Sequence, residues 1–200
     1  LRTQPARQPA PVAITICHQT GMLRVPTTRS PVSTASNSSP DWLSVLNHRL
    51  PLLGHRNWIV VADAAYPLQS APGIETILAD QSLVSTLQTV LQTVGAATHV
   101  RPVIHLDAEL AMLPENHAPG IGTLRTALTA ACGNHAVRTL PHDEIIAKLD
   151  AAGHHFHILL IKTREILPYT SVFVELDCGY WSPAAEHDLR AAIQQESTHP

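Results

Sequence analysis

A histidine and an aspartate bracket one short apolar run. His55 lies just before Trp58-Ile59-Val60-Val61-Ala62, and Asp63 follows it directly. Imidazole, with its pKa near neutrality, is the usual side chain for moving a proton at pH 7. A carboxylate at the end of a strand can accept hydrogen bonds from two hydroxyls. Taken singly, Asp63 also reads as the cap of the turn Ala64-Ala65-Tyr66-Pro67, and His55 as a loop residue beside Gly54. His142 starts a helical stretch after Leu140-Pro141. The positive helix end disfavours imidazolium, so the ring is either a neutral partner for a hydroxyl or part of the cap. In Pro168-Tyr169-Thr170-Ser171 a phenol and adjacent backbone groups sit between two strand-like runs, although Tyr169 reads equally as a core aromatic.

Other chemistries find less support. The chain has 13 histidines, and His154-His155-Phe156-His157 invites a metal-hydrolase reading. A catalytic zinc needs a third protein ligand, and no Cys or acidic residue stands at matching local spacing, so no metal is expected. Cys17, Cys132 and Cys178 are odd in number and form no C-x-x-C pair, which reads as reduced thiols in a cytoplasmic setting. A net charge of −3, with 13 scattered Lys and Arg, offers no track for nucleic acid. No apolar run reaches the roughly 18–20 residues of a membrane span.

The elements that must hold these groups alternate. Asp41–Leu50 carries Trp42, Leu43, Leu46 and Leu50 on one helical face and is ended by Pro51. The run 58–62 suits a strand buried on both faces. Helices are expected at Gln81–Val94, stopped by Gly95, at Ile121–Ala131, capped by Gly133, and at His142–Ala152, stopped by Gly153. Strands are expected at His99–His105, where Pro102 implies an irregular or edge position, at Val137–Leu140 and at Phe156–Lys162. Val172, Val174, Leu176 and Cys178 alternate with Ser171, Phe173, Glu175 and Asp177, as in a half-exposed strand. Ser182-Pro183 opens a last helix. This order predicts a three-layer α/β/α fold with a mostly parallel central sheet.

Residues 1–40 contain no Asp or Glu and are rich in Pro, Ser and Thr. They read as a disordered tail ahead of a single α/β domain at 41–200, with a targeting segment or an over-extended start before Met22 as the alternatives.

Three blocks resemble the ribose pyranase/fucose mutarotase family. They are Gly54-His55-Arg56-Asn57-Trp58-Ile59-Val60-Val61-Ala62-Asp63-Ala64, then Leu140-Pro141-His142-Asp143-Glu144, then Lys162-Thr163-Arg164-Glu165 with Pro168-Tyr169. The resemblance implies a monosaccharide ligand and interconversion of its ring forms or anomers, without metal or redox cofactor. It implies His55 as the catalytic proton donor, and sugar contacts from Asp63, His142, Tyr169, Thr170 and Ser171. It also implies a homo-oligomer, of the order of two stacked pentamers, with sites between neighbouring subunits. Ser171 stands where the family usually has Asn, and Arg164 replaces a glycine, so a sugar-binding module without turnover is the alternative. Independently of the family, eight extended residues place His55 and Asp63 up to roughly 26 Å apart. A monosaccharide cannot span that, so either the Gly54 loop folds back or His55 serves a neighbouring subunit's pocket.

Overall fold

The computed structural model describes residues 41–197. The expected tail at 1–40, with Cys17, lies outside the described residues. Helices α1 (Trp42–Arg49), α2 (Leu83–Gly95), α3 (Ala108–Met112), α4 (Ile121–Cys132), α5 (His142–Gly153) and α6 (Pro183–Ser197) alternate with strands β1 (Trp58–Ala62), β2 (Ile74–Leu78), β3 (Val100–Asp107), β4 (Ala136–Leu140), β5 (Ile158–Lys162) and β6 (Val172–Cys178). The sheet runs β2-β5-β1-β6-β3-β4. All pairings are parallel except the two made by β6, which runs antiparallel to both β1 and β3. Among the described residues no helix is long and apolar enough to cross a membrane.

The sheet is covered on both faces because its central strands are apolar on both. Every residue of β1 is buried. Ile59 and Val61 join Leu159, Ile161, Val172 and Val174 in a core roofed by Trp42 and Leu46 of α1, Leu83, Leu87, Val90 and Leu91 of α2, and Ile121 and Leu128 of α4. Trp58, Val60, Ile158, Leu160 and Phe173 face the other way, onto Ile145, Leu149 and Ala152 of α5. Each fully buried Leu, Ile or Phe contributes about 1.5–3 kcal/mol. The helices stop where their ends can be satisfied. The Ser82 side chain accepts from Ser85 N–H at the start of α2. Gly133 ends α4 with φ 53°, a conformation that costs glycine little. Gly153 serves differently: a Cβ there would meet Ile74 at 3.0 Å, so the glycine lets α5 approach β2.

Three expectations need revision. β6 lies inside the sheet, and Phe173 is fully buried beneath α5 instead of half exposed. β3 is also internal, yet β4 pairs with it only from Val103 onward, so Pro102 occupies a segment bordered by β6 alone. The missing proline N–H therefore interrupts no ladder on the β4 side. The third revision is β2, an edge strand of half-buried residues that the sequence pattern does not single out.

Candidate functional site

The reversal of β6 shapes the chemistry. Its first residue stands beside the carboxyl ends of β1 and β3, and its last beside their amino ends. The expected site residues consequently divide between two ends of one sheet. Open α/β sheets gather ligands beyond the carboxyl ends of their strands.

That end holds Asp63, Ser171, His142 and Tyr169. Asp63 Oδ2 accepts from Ser171 Oγ–H at 2.8 Å, the Asp63 N–H donates back to Ser171 Oγ at 3.0 Å, and Oδ1 accepts from Ala65 N–H at 2.8 Å. Asp63 therefore does cap its turn, but one partner per oxygen leaves acceptor capacity in a fixed orientation. His142 is the first residue of α5. Its N–H donates to both Glu109 oxygens at 3.1 and 3.2 Å, so a carboxylate from α3 caps the helix and the imidazole does not. The His142 ring lies with Nδ1 3.0 Å from Asp107 Oδ2. The Tyr169 ring meets it edge-on at 5.5 Å between centroids. Tyr169 adopts φ 56° and remains 40% exposed, a strained backbone state that turns a phenol outward beside the imidazole. Thr170 differs: it is buried, and its hydroxyl donates to the Leu167 carbonyl at 2.7 Å, holding the turn.

Asp107, the last residue of β3, joins this end, and its local sequence Ile104-His105-Leu106-Asp107 is that of an acid closing a mostly buried strand. It is only 1% exposed, and its Oδ1 has no hydrogen-bond partner among the described residues. Burial pushes its carboxyl above the usual range, and the hydrogen bond with His142 opposes this. Tyr66 is buried nearby, its phenol pushed up by burial and by Asp150, Asp107 and Asp63. A recess of about 420 Å³ opens between Glu109, Met112, Pro141 and Tyr169.

His55 sits at the opposite end, in the turn before β1. Its side chain is 54% exposed, with Nδ1 3.0 Å from Asp177 Oδ1 on β6. Arg101 Nε donates to the other Asp177 oxygen at 3.0 Å. A cavity of about 590 Å³ opens here, lined by these three groups and by Trp181, Glu186 and Arg190. One chain thus keeps His55 away from Asp63, with the whole of β1 between them.

A partly buried pair lies between the two ends on the α5 face. His105 Nε2 is 3.0 Å from Glu175 Oε2, and its ring packs on Trp58 at 5.1 Å between centroids. Among the described residues no group of three or more His, Cys, Asp or Glu could hold a metal. His155 instead packs edge-on against Phe156, and His157 faces Glu75 at 3.4 Å. Cys132 is buried, which pushes its thiol up, so it behaves as a core side chain.

The ion pairs give stability a pH dependence. Glu75 is held low by the hydrogen bond from Arg49, and Glu175 by that from His105 against the effect of burial. At Asp177, burial is outweighed by Arg101, the Cys178 N–H and His55. A carboxyl whose folded pKa is depressed contributes stability above its unfolded value and loses it as pH falls through the folded one. The raised Asp107 works in the opposite sense. Because the depressed carboxyls outnumber the raised one, the urea midpoint is expected to fall below about pH 4.5. A midpoint that still rises below about pH 4.5 would contradict these pairings.

Residues 42–179 match the model of the RbsD / FucU transport protein family. Among solved structures the chain is similar to Bacillus subtilis RbsD complexed with D-ribose, at 20% identity over 70% of this chain and 94% of that one, with a TM-score of 0.49. It is also similar to the fucose mutarotase from Streptococcus pneumoniae in complex with L-fucose, at 19% identity over 68% and 91%, with a TM-score of 0.43. FucU from Bifidobacterium longum is similar at 16% identity over 69% and 94%, with a TM-score of 0.43. No curated protein sequence matches the chain.

Proposed function

The chain belongs to the RbsD / FucU transport protein family, and from that membership we propose that it is a mutarotase or pyranase, interconverting ring forms or anomers of a free monosaccharide. Residues 41–200 form the sugar-handling domain in this reading, with 1–40 an appended tail, and the protein works in the cytoplasm without cofactor. The observation that carries the reading is the convergence of Asp63, Ser171, His142 and Tyr169 at the carboxyl ends of β1 and β3, from three separate blocks of sequence.

Opening a cyclic sugar removes the proton of the anomeric hydroxyl and delivers a proton to the ring oxygen. Reclosure after rotation of the free carbonyl reverses both transfers. Asp63, oriented by Ser171, receives sugar hydroxyls. His142, backed by Asp107, pairs with another through Nε2. Tyr169 and the backbone of Thr170 and Ser171 orient the ring. The proton carrier is His55, supplied by a neighbouring subunit, since within one chain it lies at the far end of β1. The assembly is a ring, with two stacked pentamers as the size implied by the family.

Saturation-transfer NMR against a panel of monosaccharides tests this. Exchange between ring forms or anomers is expected to accelerate for at least one sugar in the presence of the protein. Ser171 in the place of the family's Asn supports the second reading, a sugar-binding module without turnover. Binding with no acceleration for any bound sugar would establish that reading in place of the first.

A further inference from the structure

The family match ends at residue 179, but the wall of the cavity beside His55 is built from residues beyond it. Trp181 Nε1–H donates to Glu186 Oε2 at 2.9 Å, and Arg190 Nε donates to Glu186 Oε1 at 2.7 Å. One carboxylate on the first turn of α6 thus holds an indole and a guanidinium at the edge of the space. Arg56 and Arg101 line the other side. Arg101 is paired with Asp177, whereas Arg56 lies over the Phe156 ring at 5.9 Å and has no carboxylate partner among the described residues.

The cavity therefore brings three guanidiniums and an imidazole against two carboxylates, in a chain whose net charge is −3. The opposite end of β1 presents Asp63, Asp107 and Glu109 instead. A neutral sugar needs acceptors and donors but no surplus of guanidinium. Guanidinium, with five donors in a planar fork, is matched to phosphate and carboxylate oxygens. The two ends also sort a ligand by charge: carboxylates receive hydroxyls and repel an anion, and the arginines do the reverse.

We infer that the cavity formed by Arg56, Arg101 and the segment 181–190 receives an anionic substituent, so that the ligand is a monosaccharide carrying a phosphate or a carboxylate. The inference rests on the reading of His55 as part of the sugar site. Trp181 supplies an apolar face on which the adjoining ring lies.

The test uses the full chain and compares a neutral hexose and pentose with their terminal phosphates and with a uronate, measuring affinity by titration calorimetry and exchange by NMR. The anionic sugar is expected to bind on the order of tenfold tighter than its neutral parent, with the advantage shrinking as salt rises. The phosphate and uronate arms identify which anion is taken. In Arg56→Gln and Arg190→Gln the preference for the anionic sugar collapses, whereas Arg190→Lys retains part of it. Equal affinities for neutral and anionic sugars overturn the inference, as does a preference that both Gln variants keep. Accelerated exchange of neutral sugars with no anion preference overturns it and leaves the family reading standing. Tight anionic binding lost in the Gln variants, with no sugar's exchange accelerated, supports the inference and overturns the mutarotase reading. Absence of any sugar binding overturns both.

Discussion

Replacing His55 with Ala is expected to slow ring-form exchange by about 10²–10⁴-fold, the usual contribution of a positioned acid/base group. The fold should be nearly indifferent to the change. The imidazole is more than half exposed, and its partner Asp177 keeps Arg101 and the Cys178 N–H. The melting temperature of His55→Ala should therefore stay close to that of the parent, and sugar affinity should fall far less than rate. Complementation sharpens the test. If each pocket takes His55 from one subunit and Asp63 from its neighbour, His55→Ala and Asp63→Asn homo-oligomers are both inactive. Mixed and reassembled at equal amounts, they should recover roughly a quarter of parental activity, because one interface in four then pairs two intact partners. No recovery from demonstrably mixed oligomers would mean that the pocket belongs to one chain. An unchanged exchange rate in His55→Ala would remove its role altogether.

The second large effect is expected at Asp107. Its Oδ2 lies 3.0 Å from His142 Nδ1, which in the proposed site leaves Nε2 for the ligand. Asp107→Asn keeps the shape and replaces the carboxylate oxygen that orients the His142 ring. By analogy with the carboxylates that orient metal-bound histidines, the loss is expected to be about 10–100-fold, and it should appear in turnover and in its pH profile more than in sugar affinity. Stability should move the other way. A carboxyl whose folded pKa is raised contributes favourably below its unfolded value and loses that contribution as pH climbs toward the folded one. An amide, which has no such proton to lose, should therefore melt no lower than the parent at pH 7. Full activity in Asp107→Asn would dismiss the His142 couple. A large drop in melting temperature that accounts for the lost activity would reduce Asp107 to a structural group.

Much of the architecture is legible along the chain. Trp58–Ala62 reads as buried on both faces because all five side chains are apolar, and its two faces pack on two different layers. The α2 period and the Gly133 cap are equally plain, since both are local chemistry. The short edge strand β2 and the five-residue α3 are not, because neither is long enough to show a period. Glu175 and Asp177 alternate like the exposed face of an edge strand. Their partners His105 and Arg101 lie 70 and 76 residues away, so no local pattern shows that the strand is internal.

His55 and Asp63 show the same division. The chain alone determined their residue types, the strand between them, and a separation too long for one sugar. Only the tertiary structure decided what stands beside each. The antiparallel β6 carries Ser171 to Asp63 at one end of β1 and Asp177 to His55 at the other, while β3 brings Asp107 under His142. Those neighbours follow from strand order and direction, which many local patterns would permit. They are selected by which apolar faces can be buried together.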